Sequence, residues 1–199
     1  MIKSYLAILT VFIFNSLWSM SLNSAEKSPQ FSPENFVNAT YQEIKEIASE
    51  QLSDAEKVSR MLSLFNDTVE HLFISRAVMG PYWKSLSESE KIDFSLAFKI
   101  YLARKYSKQF DDFSAGDLTI LSIKKSGSSG FIVKSRILTE NSKQFNLVWQ
   151  LVGTNAGFRI INLKFEGISM VHAERPELKN LINTYSGSIP LIIEALKNY

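Results

Sequence analysis

The chain has 199 residues, 22 basic and 20 acidic, for a formal net charge of +2 at pH 7, with two histidines and no cysteine. So even a charge speaks against a nucleic-acid binder, which carries a clear basic excess, and the missing cysteines exclude disulfides and thiolate metal sites. Its 14 Phe, 7 Tyr and 3 Trp supply one domain with a sizeable core.

The first stretch reads as an address. Met1, Ile2 and Lys3 make a short basic start, residues 5–22 are almost wholly apolar, and Asn23, Ser24 and Ala25 close the run before Glu26 and Lys27. That is the three-part order of a secretory signal. The run is close to the ~20 residues that span a bilayer, so a single membrane anchor is the rival reading. Asn15, Ser16 and Ser19 inside it, and the small residues after it, favour cleavage. Residues 1–25 are therefore expected to be a signal peptide and 26–199 a single domain, with 21 basic and 20 acidic residues. No second long apolar segment follows, so the mature protein is expected to be soluble.

Helices come first. Ser32 and Pro33 have the form of a cap and first helical residue, and Phe36, Val37, Tyr41, Ile44 and Ile47 give an apolar stripe. Ser53 to Glu56 is a capping box opening a second helix with Val58, Met61, Phe65, Val69 and Leu72 on its apolar side. Residues 74–79 suggest a short third helix ended by Gly80 and Pro81. Ser87 to Glu90 is another capping box. Beyond it Phe94, Phe98, Tyr101, Leu102, Tyr106 and Phe110 form an aromatic ridge at helical spacing.

After Ser114, Ala115 and Gly116 the period changes to that of strands. Residues 117–125 and 131–139 form one predicted hairpin around Gly127 and Gly130. In the next, Phe145, Leu147, Trp149 and Leu151 alternate with Asn146, Val148, Gln150 and Val152. Small residues at 153–157 turn the chain, and Ile161, Leu163 and Phe165 face one way on the return. Gly167 is expected to mark a bulge or bend, with Ile168 to Val171 resuming the strand. After Glu174, Arg175 and Pro176, two short helices are expected over 177–185 and about 189–198. Helices first and sheet second imply an α+β fold with helices on one face of a curved antiparallel sheet.

Catalytic groups are sparse. His71 falls in a helix and His172 near the expected end of the last strand, where Glu174 would be its acid–base partner; Asp111 and Asp112 sit at a helix end, as a solvated loop would. No Gly-rich phosphate loop or nucleophile elbow occurs. No catalytic residue, metal ligand or cofactor site is assigned.

Several runs carry a family resemblance. Met79, Gly80, Pro81, Tyr82 and Trp83, the ridge from Phe94 to Tyr106, the strand from Val133 to Ile137, and Phe165, Glu166, Gly167, Ile168 and Ser169 followed by Arg175 resemble the MlaC family of periplasmic phospholipid carriers, also called toluene-tolerance (Ttg2-type) proteins. The match runs in the same order over residues 33–196. Met79 stands where the family usually has Leu, and Phe158 where it generally has Trp. The resemblance implies an NTF2-like fold enclosing an apolar pocket, with residues 26–199 a single phospholipid-binding domain in the periplasm. It implies lipid shuttling between an outer-membrane lipoprotein–porin complex and an inner-membrane MCE-domain ABC transporter, preserving outer-membrane asymmetry. The acyl chains are then expected against Met79, Tyr82, Trp83, Phe94, Phe98 and Tyr101 from the helices. From the strands come Val133, Leu147, Trp149, Ile161, Leu163 and Phe165. The rivals are an NTF2-like small-molecule enzyme, a carrier of another lipid such as a hopanoid precursor, and a peptide-binding or chaperone module. An enzyme needs a His or Asp inside the pocket, whereas every expected inward strand position is apolar.

Amino-terminal sequencing of the exported protein is expected to start between Asn23 and Lys27; an intact Met1 terminus in the membrane fraction would contradict the cleaved-signal reading.

Overall fold

A computed structural model describes residues 32–109, 116–139 and 141–199. The expected signal peptide and the Asp111, Asp112 pair lie outside the described residues. Helix α1 spans Pro33–Ser49, and Ser32 caps it by accepting the Asn35 N–H at 3.0 Å. Helix α2, Asp54–Thr68, opens with the Ser53 and Glu56 capping box. A break at Val69 and Glu70 separates it from α3, His71–Met79, so the second helix ends and the third begins earlier than the apolar stripe suggested. Gly80–Ser85 continues as a 3₁₀ turn. The Ser87 and Glu90 box then starts α4, Glu88–Gln109, with the Ser87 N–H donating to Glu90 Oε2 at 2.8 Å.

Five strands follow as an antiparallel meander in chain order: β1 Gly116–Ser126, β2 Gly130–Thr139, β3 Gln144–Thr154, β4 Gly157–Phe165 and β5 Ile168–Ser169. Val133, Trp149 and Leu163 stand in one row across the inner face, and Ser135, Leu147 and Phe165 in the next. The register slips once in β1, at Leu121, and once in β4, at Ile161. Each slip inserts one residue that no partner opposes, which bends the strand and inverts its alternation. Ile160 and Phe158 therefore continue the buried face that Phe165 and Leu163 begin, and Ile161 is the bulged residue. The expected inward position for Ile161 is thus corrected: strict alternation cannot anticipate an extra residue.

Glu166 and Gly167 make no bulge. They are the two central residues of the β4–β5 turn, with φ of 47° and 80°, as a type I′ hairpin requires. Nor does the strand run on to Val171. It stops at Ser169, and α5, Met170–Thr184, begins at once and passes through Pro176. His172 accordingly lies on a helix. Helix α6, Ile189–Lys197, ends the fold.

The helices cover the inner face in two depths. Helix α1 packs on β1 and β2, while α2, α3 and α5 pack on β4. Helix α4 lies against α2, α3 and α6 instead. Beyond the short β5, the α2–α3 break closes the exposed edge of β4: the Glu70 N–H donates to Ile160 O at 2.9 Å beside a parallel bridge from Val69, protecting an edge that would otherwise invite pairing.

At Gly130 a Cβ would lie 2.2 Å from the backbone oxygen of Ser126. Gly130→Ala is therefore expected to lower stability by roughly 1–3 kcal/mol, read as an earlier urea midpoint with an unchanged slope.

Candidate functional site

Between the inner sheet face and the helices lies an apolar cavity of about 260 Å³. Its sheet wall is Ile137 from β2, Leu147 and Trp149 from β3, and Ile160, Leu163 and Phe165 from β4. The helical wall is Thr40, Tyr41 and Ile44 of α1, then Leu64, Phe65, Thr68 and Val69 at the end of α2. Leu102 and Tyr106 of α4 complete it, with Met170 and Ala173 of α5. Ile168, 66% exposed, and the solvent-facing Ala173 belong to the same wall, so the cavity opens beside the β4–β5 turn.

The polar atoms on this wall are already engaged. The hydroxyls of Thr40 and Thr68 donate to the carbonyls of Phe36 and Leu64 in their own helices, at 2.8 and 2.6 Å. Back-bonding of this kind leaves the methyl groups to face the cavity. Tyr41 donates to Gly116 O at 2.9 Å, and burial followed by the Asp117 charge pushes its hydroxyl up to about 12. The Trp149 indole N–H donates to Ser135 Oγ at 2.9 Å. Tyr106 donates to Glu174 Oε1 at 3.1 Å, and burial, then the Glu174 charge, raises its hydroxyl well above the ordinary tyrosine value. These phenols stay protonated donors at neutral pH, and the surface they frame is hydrocarbon.

Of the twelve residues singled out from the sequence, Leu147, Trp149, Leu163 and Phe165 come together on the cavity wall. The others stand elsewhere. Val133 is fully buried in the same row as Trp149, outside the wall, and Ile161, the half-buried bulged residue, is not part of the wall either. Phe94, Phe98 and Tyr101 stack on one another, with ring centroids 5.6 Å apart at each step. They do so because α4 packs among helices, so its ridge meets helices where a sheet was expected. Met79 and Trp83 are buried and Tyr82 exposed around the 3₁₀ turn, all outside the wall.

The residues that sequence reasoning passed over on α1 and α2 (Tyr41, Ile44, Phe65 and Val69) belonged to apolar stripes already visible in the pattern. What was missing was the knowledge of which stripe faces a void. Ser135 did leave a signal: it is a polar residue between Val133 and Ile137 on a buried strand face near a tryptophan, whose buried N–H needs an acceptor.

The two histidines stand apart from the cavity. His71 opens α3, and burial followed by the Lys99 charge lowers its pKa. His172 is exposed on α5, while Glu174 is 1% exposed. Residues two apart on a helix point to different sides, so the acid–base pairing that alternate strand positions would have allowed does not form. Among the described residues no group of His, Asp and Glu could hold a metal ion, and no helix is long and apolar enough to cross a membrane.

Comparison with known proteins adds two findings. The family model described as MlaC protein matches residues 34–198. The phospholipid-binding protein of Ralstonia solanacearum, solved in complex with a phospholipid, is similar in structure with a TM-score of 0.66 at 12% identity. That alignment covers 82% of this chain and 93% of the other, and the likeness is one of fold. No curated protein sequence matches the chain.

Replacing Ser135 by Ala strands the buried Trp149 N–H. The expected loss is about 1–3 kcal/mol of stability, measurable as a lowered thermal midpoint with a shifted tryptophan emission; unchanged unfolding would show that another acceptor reaches the indole.

Proposed function

The chain belongs to the MlaC family, and from that premise we propose that it is a periplasmic phospholipid carrier whose acyl chains lie in the cavity beneath the sheet. The observation that carries this reading is the wall itself. Its exposed surface is hydrocarbon, and each hydroxyl and indole N–H on it bonds to the protein's own backbone or side chains. A wall with its polar groups spent in this way has little to offer a polar substrate and much to offer a hydrocarbon chain. General acid–base chemistry needs a titratable side chain within reach of the substrate. The titratable side chains on this wall are Tyr41 and Tyr106, and both phenols are raised above the ordinary tyrosine value and spent on Gly116 O and Glu174, which favours a carrier over an enzyme.

Energetics support the same reading. An empty cavity of about 260 Å³ costs about 6 kcal/mol at roughly 24 cal/mol per Å³, a large share of the ~5–15 kcal/mol that holds a domain folded. Filling it with acyl methylenes at ~0.8 kcal/mol each recovers that cost. The same chains lose a similar amount on leaving a bilayer, so transfer is nearly neutral and its direction must come from partners. On this reading those partners are an outer-membrane lipoprotein–porin complex and an inner-membrane MCE-domain ABC transporter, with ATP consumed by the transporter. Leu147, Trp149, Leu163 and Phe165 would touch the chains from the sheet, and Ile168 would mark where the headgroup emerges.

Protein purified without added lipid is expected to carry phospholipid at a fixed stoichiometry in native mass spectra. Leu163→Asp sets a carboxylate against the chains, where it must lose hydration or protonate. Because Leu163 borders the open cavity and is only partly buried, this variant is expected to lose lipid yet still unfold cooperatively. Purified protein that yields no lipid by organic extraction, with Leu163→Asp unfolded outright, would identify a solid core and end the carrier reading.

A further inference from the structure

One seam of the cavity wall is closed by polar groups. Met170 and Ala173 on α5, and Leu102 and Tyr106 on α4, face the cavity from two helices whose backbones scarcely approach one another. A single buried carboxylate bridges them. Glu174 accepts from Tyr101 Oη at 2.9 Å, from Lys105 Nζ at 3.0 Å and from Tyr106 Oη at 3.1 Å. Lys105 also donates to Tyr101 Oη at 3.0 Å. All three donors come from α4 and the acceptor from α5. The next residue holds the other side of the helix: Arg175 donates from Nε and Nη2 to the carbonyl of Ala77, at 3.2 and 3.0 Å, near the end of α3. Along α3 the packing is close, whereas towards α4 it is a cluster of hydrogen bonds.

These two attachments respond differently to displacement. Towards α4 the attachment rests on hydrogen bonds alone, which weaken steeply once distance and angle depart from their optimum, whereas on the α3 side close backbone packing backs up the two Arg175 bonds. The first turn of α5 emerges directly from β5, beside the exposed Ile168 at the cavity mouth. A small swing of that turn away from α4 would widen the mouth without disturbing the packing on α3. Lys105 keeps part of its surface in water, so the parted groups have solvent at hand.

We propose that Glu174 is a positioning residue for lipid: its hydrogen bonds to Tyr101, Lys105 and Tyr106 latch α5 to α4, and lipid enters and leaves when this latch parts. The inference rests on the carrier reading above and adds the element that controls exchange. Tyr106 couples the two events, because its ring lines the cavity while its hydroxyl belongs to the latch. A chain packed against that ring holds the hydroxyl in place, so a loaded carrier keeps itself shut.

The test is release of a fluorescent phospholipid from preloaded protein into phosphatidylethanolamine–phosphatidylglycerol vesicles, followed by stopped flow. Thermal unfolding of the emptied protein is measured alongside. Tyr101→Phe removes one latch bond without touching the cavity, and Tyr106→Phe removes another while leaving the ring in place. Each is expected to release lipid about tenfold faster, with the unfolding midpoint of the emptied protein within a few degrees of the parent. Glu174→Gln turns one of the two accepting oxygens into a donor and removes the charge that Lys105 faces, and is expected to accelerate release at least as much. Release at the parental rate in both tyrosine variants overturns the latch. So does an acceleration that follows a falling midpoint, which would mean that these bonds only hold the fold. A parent that never loads lipid overturns the carrier reading, and the latch with it.

Discussion

A void under a sheet has to be kept from closing, and most of this structure follows from that constraint. Interiors ordinarily pack to the density of organic crystals, and side chains as large as Trp149, Phe165 and Tyr106 would fill the space if they could swing inward. The aromatic groups that carry a polar atom are prevented from doing so by that atom. Trp149 is tied back to Ser135, Tyr41 to the Gly116 carbonyl and Tyr106 to Glu174. In each case the anchor lies outside the lining of the cavity, and leaving it would strand a buried donor at a cost of about 1–3 kcal/mol. The polar atoms thus hold the apolar rings apart.

The sheet contributes curvature to the same end. The extra residue at Ile161 bends β4 and changes which side chains it turns inward, so one strand supplies Ile160 before the bulge and Leu163 and Phe165 after it. The tight turn at Glu166 and Gly167 then folds the chain back so that Ile168 reaches the mouth. Glu166 also closes this corner from both its ends: its N–H donates to Asn146 O at 3.0 Å, and its carboxylate accepts the Asn146 N–H. Ser169 donates to Asn162 Oδ1 at 3.0 Å and steadies the departure into α5. The Glu-Gly-Ile-Ser motif is therefore a device of backbone geometry at the opening, with Ile168 its contribution to the cavity surface.

Charge plays a smaller part elsewhere. The Lys45 and Asp117 pair and the Arg60 and Glu50 pair are both substantially exposed, and pairs of that kind contribute at most ~1 kcal/mol each. Lacking disulfides, the domain depends on a core that runs from Val37 on α1 to Leu196 on α6. Glu174 is the exception among the acidic and basic side chains of the described residues. Withdrawn from water, it is tolerable only because three donors surround it.

The capping residues Ser32, Ser53 and Ser87 were legible in the sequence because caps act within one turn of the chain, through bonds between residues three apart. Alternation from Phe145 to Val152 likewise marked β3 and its buried face, since side-chain direction in a strand is a local property. The order of helices before strands, and the family motifs, were read in the same way. What a face meets is another matter. The ridge of Phe94, Phe98 and Tyr101 is apolar whether it covers a sheet or other helices, and only the placement of α4 against α2, α3 and α6 decided which. The flip at Ile161 leaves no trace in composition, because both Ile160 and Ile161 can serve as the inward residue. Helix α5 runs through Pro176 against local preference, in a segment where Glu174 and Arg175 anchor it to α4 and α3. The amino-acid order therefore determined the elements and their apolar faces, through short-range physics. Whether those faces met in a filled core or around a cavity was decided by contacts between residues far apart in the chain, which no local pattern records.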